Sequence, residues 1–395
     1  MKQRPKAFWI ILTAGIILRL ILVFALPLYP EETFLPGYND EPMHLNYVRY
    51  IAENKRLPVW TEEESKANPL VDEFPQSPLY YVIAAPAYRL GEWIKPGGGI
   101  IGARMVSVLF GVAGSLIVYW ICLKIIGKRR AALAGMAFVT FSPNMALFTS
   151  LVTNDSLLYC LSALSFASII ALREFVGGSL RQIKTGLVLG LAVWAKISAL
   201  SLYPLAWLVV GEETRWRDAW RARLRVFIAV GVVILPLVVW NLVQYGQFIP
   251  TVSITTPEES RGIGGAGVEH PVTAITCLAR TAAQPLEQVW GSIPEKLMTT
   301  IWVVIGAIGL SVGALSLKHS PSRWLIFWGL LFPVAALIFY NFRFFQIEAR
   351  LLFPAMAPLA VIVAAGMSRL KIPIGWQCVI WGAPLIVVFG NKIMR

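Results

Sequence analysis

The sequence predicts an all-α polytopic membrane protein, a bundle of about eleven transmembrane helices, and three observations carry that prediction. Of 395 residues, 57% are hydrophobic and only 14% charged, with a mean hydropathy of +0.65, far less charge than a soluble domain of this length carries. Apolar runs long enough to cross a bilayer recur from end to end. The basic excess, 35 Lys and Arg against 22 Asp and Glu, falls in short tracts between those runs. That is the positive-inside pattern, so the net charge of +13 does not indicate nucleic-acid binding. A membrane β-barrel would show short alternating segments, and none dominate. Cys122, Cys160 and Cys378 lie in apolar runs and Cys277 in a loop, which suggests neither a disulfide framework nor a zinc site.

Taken in order, Lys2, Arg4 and Lys6 hold the N-terminus in the cytoplasm and residues 7–28 cross outward. The apolar run is long for a signal-peptide core and no small-x-small site follows, so it reads as an uncleaved span. Arg19 inside it costs roughly 2.5–3.5 kcal/mol unless it faces the bundle, as a structural pair or by snorkelling. The outer loop 29–103, polar and acid-rich over 29–76, holds two predicted interfacial helices. Residues 42–54 (PMHLNYVRYIAEN) form an amphipathic helix with Pro42 in its first turn. Residues 77–94 (SPLYYVIAAPAYRLGEWI) are apolar enough to cross, but crossing would put Lys124, Lys128, Arg129 and Arg130 outside. They are therefore expected along the outer interface, with Tyr80, Tyr81, Tyr88 and Trp93 at headgroup level and the glycines 97–99 as a hinge.

Residues 104–126 then run inward, 131–150 outward and 156–174 inward, with Asn154 and Asp155 in an external turn. The run 183–210 is too long for one span, and the basic tract ETRWRDAWRARLR follows it. Two short helices meeting near Lys196 on the outer side satisfy the charge rule, and one helix does not. Spans at 226–245, 298–317, 324–341, 351–368 and 373–390 complete the chain around a second outer loop, 246–295. No internal repeat and no soluble C-terminal domain is expected, so residues 1–395 read as a single domain. GIGGAG at 262–267 fits G-x-G-x-x-G literally, but no βαβ unit surrounds it, so a dinucleotide site is rejected in favour of a flexible loop over the site or plain disorder.

On this layout Asp40, Glu41, His44, Asp155, Lys196, Arg343 and Arg350 gather at outer helix ends. A carboxylate there could take a proton from a hydroxyl, while Lys and Arg meet the charge of a departing phosphate. Adjacent residues point different ways, so Asp40 and Glu41 are not expected to act as an acid–base pair. His44 shares a helical face with them, as a hydrogen-bonding histidine or part of an incomplete metal set. Bland roles stay open: Lys196 as a structural partner of a carboxylate, Arg343 and Arg350 as interface anchors, Asp155 as a helix cap. His270 and His319 read as loop histidines.

Several ordered segments resemble the GT-C superfamily of membrane glycosyltransferases, in the branch of protein O-mannosyltransferases and the lipid A aminoarabinose transferase. They are DEPMHLNYVRYIAENKRLP, QSPLYYVIAAPAYRLG, ARMVSVLFG, TNDS, GLAVWAKISAL and EARLLFPAMAPL, together spanning the chain to about residue 366. The resemblance implies a GT-C-like bundle and inverting transfer of a sugar from a polyprenyl-phosphate-linked donor at the outer membrane face. By the same resemblance Asp40 is the catalytic base, Lys196 and Arg350 serve the donor phosphate, and 77–94 is the juxtamembrane helix. Gln76 and Ser77 depart from the pattern, in which a histidine commonly precedes Pro-Leu-Tyr-Tyr.

The reading that follows is a glycosyltransferase of a bacterial or archaeal plasma membrane. Asp40 is expected to be catalytic, and Glu41, His44, Tyr80, Asp155, Lys196, Arg343 and Arg350 to contact substrate. No cofactor is required, since side chains supply the cations, though a divalent cation is compatible with the site. The expected partners are the lipid-linked donor, a lipid, glycan or protein acceptor, and membrane lipids, with no nucleic acid. The rivals are a transporter or flippase of lipid-linked glycans and a non-catalytic GT-C-like partner subunit.

Overall fold

The computed structural model describes residues 5–26, 40–174, 178–211, 215–250, 293–341 and 349–382. Arg343, Glu348, Lys2, Arg4, Cys277, His270, the GIGGAG segment and parts of the expected outer loops and last span lie outside them. Among the described residues every regular element is helical. Helix α1 (Lys6–Ala25) leads to α2 (Glu41–Asn54), α3 (Glu62–Ala67), a 3-10 turn at Pro69–Val71 and α4 (Leu79–Ile94). The bundle continues with α5 (Gly99–Ile126), α6 (Arg129–Phe141), α7 (Pro143–Phe148), α8 (Asp155–Glu174) and α9 (Ser179–Ala195). A 3-10 segment Ile197–Leu202 opens α10 (Tyr203–Val209), followed by α11 (Trp216–Tyr245), α12 (Ile293–Ser316) and α13 (Arg323–Asn341). A 3-10 segment Ala349–Ala355 leads into α14 (Met356–Arg369), and α15 covers 374–382.

Among the described residues six helices are long and apolar enough to cross a membrane, α1, α5, α8, α11, α13 and the Arg350–Arg369 stretch, where the sequence led to an expectation of about eleven spans over the whole chain. The other expected spans take the form of shorter helices or run into residues not described. Residues 131–150 are not one helix: Ser142 is extended (ψ 129°) before Pro143, because proline excludes the α conformation from its predecessor. The span expected at 226–245 begins ten residues earlier, at Trp216, so the basic stretch Trp216–Arg225 is itself helical. The break expected at Lys196 is present: its extended backbone (φ −161°, ψ 139°) ends α9.

Helix α6 is buried from Ala131 to Phe141 without a gap, so it is the centre around which α1, α5 and α14 pack. Helix α4 is two-faced. Tyr80, Tyr81, Ala84 and Ala85 are buried, while Val82, Ile83, Leu90, Trp93 and Ile94 are exposed. It lies tight on α5 because Gly102 leaves room for the Ala87 carbonyl, with which any side chain at 102 would collide.

The helices give the molecule two ends. Asp40, the start of α5, residues 149–155, Lys196 and Arg350 meet at one. The opposite helix ends are joined by Arg130 Nη2 to the Lys371 carbonyl (2.6 Å), Arg173 Nη1 to the Pro321 carbonyl (2.9 Å) and Arg225 Nη1 to Gln182 Oε1 (3.0 Å).

Candidate active site

Four charged side chains, drawn from widely separated parts of the chain, form one row. Arg350 Nη2 donates to Asp40 Oδ2 at 2.6 Å and its Nη1 lies 3.7 Å from Asp155 Oδ2. Lys196 Nζ donates to Asp155 Oδ1 at 2.7 Å. Local structure puts each one there. Asp40 stands at the N-terminal cap of α2, Asp155 is the first residue of α8, Lys196 occupies the break after α9, and Arg350 lies in the 3-10 segment before α14. Asp155 thus has two cationic partners besides its place at the start of α8, and Arg350 is buried with its guanidinium 5.3 Å over the Phe148 ring.

Exposure is uneven: the Asp155 side chain is 0% exposed, Arg350 5% and Lys196 15%, but Asp40 is 32%. Of the two carboxylates, Asp40 is thus the one a substrate can reach. Burial would raise its pKa, but the Arg350 guanidinium outweighs that with help from Lys196 and holds the carboxyl below its usual range.

Glu41 is turned elsewhere. Arg104 grips it bidentately (Nε to Oε1 2.8 Å, Nη2 to Oε2 2.7 Å), Val152 N donates to Oε1 at 2.8 Å, and Arg104 Nη1 donates to the Val23 and Leu26 carbonyls. The pair is fully buried and ties α1, α2, α5 and the approach to Asp155 into one frame. Tyr80 is also outside the row, its hydroxyl 2.7 Å from Ser107 Oγ inside the α4–α5 contact. The structure thus unites Asp40, Asp155, Lys196 and Arg350, places His44 beside them, and leaves Glu41 and Tyr80 behind them.

His44 brings a residue that sequence reasoning missed. Its Nδ1 is 2.7 Å from the Tyr81 hydroxyl and 3.8 Å from Glu73 Oε2, over a stacked Tyr47–Tyr81 pair with ring centroids 3.9 Å apart. Asp40, His44 and Glu73 each offer a ligand atom, all within 4.8 Å of one another. Glu73 Oε2 and His44 Nε2 are buried without a hydrogen-bond partner. Burial pulls His44 down to about 3, so it is a neutral imidazole, able to ligate. Burial and the Asp40 charge push Glu73 up, a cost that a cation would remove. This N,O,O set fits a divalent cation such as zinc or manganese. Glu73 is buried because Val71 and Phe74 anchor its turn; in the sequence it is half of an Asp72–Glu73 pair in an acid-rich loop, with nothing to set it apart.

The comparisons bear on the fold, which is the GT-C-like bundle that the sequence resemblance implied. The family described as dolichyl-phosphate-mannose-protein mannosyltransferase matches residues 78–240, a stretch that includes Asp155 and Lys196. Among solved structures the chain is similar to ArnT from Cupriavidus metallidurans bound to undecaprenyl phosphate, at 14% identity and TM-score 0.60, covering 99% of this chain and 64% of that one. The Archaeoglobus fulgidus oligosaccharyltransferase in complex with Zn and sulfate matches at 13% identity and TM-score 0.58, covering 96% and 51%. The same organism's AglB, with an inhibitory peptide and a dolichol-phosphate, matches at 13% and 0.55, covering 91% and 50%. The chain thus spans between half and two thirds of the length of these structures. No curated protein matches it by sequence.

Proposed function

We propose that the chain is an inverting glycosyltransferase that moves a sugar from a polyprenyl-phosphate-linked donor to an acceptor hydroxyl on a protein, lipid or cell-surface glycan. The observation that carries this reading is the row Asp40–Arg350–Asp155–Lys196, in which the most exposed carboxylate shares a guanidinium with a buried carboxylate–lysine pair. The undecaprenyl phosphate on ArnT and the dolichol-phosphate on AglB favour a prenyl phosphate as the anionic ligand.

The acceptor oxygen attacks the anomeric carbon from the face opposite the phosphate, and Asp40 takes the hydroxyl proton. The carbon–oxygen bond to phosphate breaks, its electron pair leaves with the prenyl phosphate, and Arg350 and Lys196 meet the new charge. Arg350 has a second task. While it neutralises Asp40 the carboxylate is a weak base, and a donor phosphate that recruits the guanidinium restores its basicity. A cation held by Asp40, His44 and Glu73 would add a positive charge beside the acceptor.

The site faces the extracytoplasmic side of the plasma membrane on this reading. The support is the concentration of basic tracts at the other end: Lys124, Lys128, Arg129 and Arg130, Arg181 and Lys184, Arg215 to Arg225, and Arg369 and Lys371. The exposed α4 stripe of Val82, Ile83, Leu90, Trp93 and Ile94 suits a helix lying in the outer interface. Sugar transfer in proteoliposomes supplied with polyprenyl-phosphate sugars tests the assignment. Asp40→Asn should fold, bind undecaprenyl phosphate and lose about 10²–10⁴-fold in turnover, and full activity in that variant would refute the base role.

A further inference from the structure

The end of the molecule opposite the proposed active site carries a surface of its own. Helix α11 is 30 residues long, about 45 Å, whereas the hydrocarbon core of a bilayer is about 30 Å thick. Its first ten residues, Trp216–Arg225, therefore project through the headgroup layer. Two neighbouring stripes run up this projection at four-residue spacing: Arg217, Arg221 and Arg225, and beside them Trp216, Trp220 and Leu224, all exposed. The third face, Ala219, Ala222 and Val226, is buried. The apolar stripe continues without a break along the helix as exposed Ile228, Val232, Leu235, Val239 and Val243.

Neighbouring helices reinforce the positive side. Arg225 bonds Gln182 of α9, which Arg181 and Lys184 flank, both exposed. Arg223 is fixed by the Trp207 and Val210 carbonyls (3.0 and 3.1 Å) and lies 5.2 Å over the Trp207 ring, which fastens the segment to α10. Asp218 is the segment's one acid, and its contact with Arg221 is a loose, exposed one at 3.8 Å.

We propose that Trp216–Arg225 of α11, with Arg181 and Lys184 of α9, docks an anionic glycerophospholipid of the leaflet at that end. The phosphate meets the arginine stripe, the glycerol region lies against Trp216 and Trp220, and an acyl chain follows the stripe from Leu224 to Val243. Charge complementarity selects an anionic headgroup. The unbroken apolar track leading away from the arginines selects a lipid over an acidic protein segment, which would have no use for it.

Native mass spectrometry of the full-length, delipidated protein titrated with dioleoylphosphatidylglycerol or dioleoylphosphatidylcholine tests this. Phosphatidylglycerol should be retained preferentially, and each surface arginine removed should weaken it about 5-fold, so roughly 30-fold for R217Q/R221Q. Both residues are exposed, and the pair's melting temperature should stay at the parent's. Trp220→Ala should weaken both lipids alike and leave the preference intact. Equal retention of the two lipids, or unchanged phosphatidylglycerol retention in R217Q/R221Q, overturns the proposal. So does displacement of bound phosphatidylglycerol by a soluble polyglutamate peptide in preference to competing lipid, which would make the patch a protein-docking surface.

Discussion

Removing the Arg350 fork separates the proposed donor-phosphate role from a merely structural one. In Arg350→Gln, Asp40 loses its 2.6 Å charge-assisted partner but keeps its access to water, being 32% exposed. Asp155, wholly buried, keeps Lys196 at 2.7 Å. No buried charge is stranded, so the variant should fold. A hydrogen bond to a charged group is worth about 1.5–3 kcal/mol. If the donor phosphate takes over the guanidinium, its loss should weaken undecaprenyl phosphate about 10- to 150-fold. Turnover should fall further, by about 10²–10³, because the leaving-group charge is larger in the transition state than in bound donor. Arg350→Lys restores the charge without the planar fork and should lie between parent and Gln. Equilibrium binding of radiolabelled undecaprenyl phosphate to protein in nanodiscs measures the first effect without knowledge of the sugar. A Gln variant that binds within two-fold of the parent would sink the phosphate assignment.

The remaining predictions concern the frame and the cation set. Glu41→Gln leaves Arg104 buried with one fewer charge partner and should cost about 3–5 kcal/mol of stability, read as a lowered thermal midpoint. Replacing both partners with apolar residues should recover part of that loss, and a Glu41→Gln midpoint equal to the parent's would mean the pair holds nothing together. Zinc or manganese, followed by calorimetry, should bind in a manner abolished by Glu73→Gln and His44→Ala. Because Glu73 is raised in the fold, binding near neutral pH should release a proton and tighten as pH rises, and uptake independent of pH would contradict the assigned ligands. Without cation the linkage has a definite sign. Above the ordinary glutamate pKa the folded chain holds a proton at Glu73 that the unfolded chain has lost. Stability therefore falls as pH climbs toward the raised value, and Glu73→Gln should flatten that slope in a thermal-shift series.

Much of the helix order was legible because charge and proline constrain it. The break at Lys196 followed from the basic tract after it, and the α2 and α4 ranges from Pro42 and from the cost of misplacing the Lys124–Arg130 cluster. The break at Ser142 was also encoded, by a proline directly after it, but an apolar run of span length masked it. The site was legible in part. Asp155, Lys196 and Arg350 stand out because charge near membrane depth is costly and needs a partner. Glu73 could not stand out in a loop that also holds Glu62, Glu63 and Glu64. What distinguishes it is burial by Val71 and Phe74, a tertiary fact. Glu41 was indistinguishable from Asp40 by adjacency, and only Arg104, 63 residues away, separates a structural acid from a reachable one.

That separation bears on the choice between catalysis and transport. A transporter needs two arrangements of the elements around its site, so that the site opens to either side in turn. Here the elements carrying the charged row are cross-tied by buried charge. Arg104 and Glu41 lock the end of α1, the start of α2, α5 and the backbone at Val152, three residues before Asp155, and Arg350 closes the row from α14's side. Undoing such a tie without replacing it would leave charge unpaired in a low-dielectric interior, at several kcal/mol per ion. Transition-state stabilisation makes the opposite demand, that dipoles and charges be held fixed before the reaction begins. Two carboxylates and two cations in register form a row that is neutral by itself and can wait in that interior. On the proposed mechanism an arriving phosphate would perturb it by competing for Arg350, and that event would free Asp40.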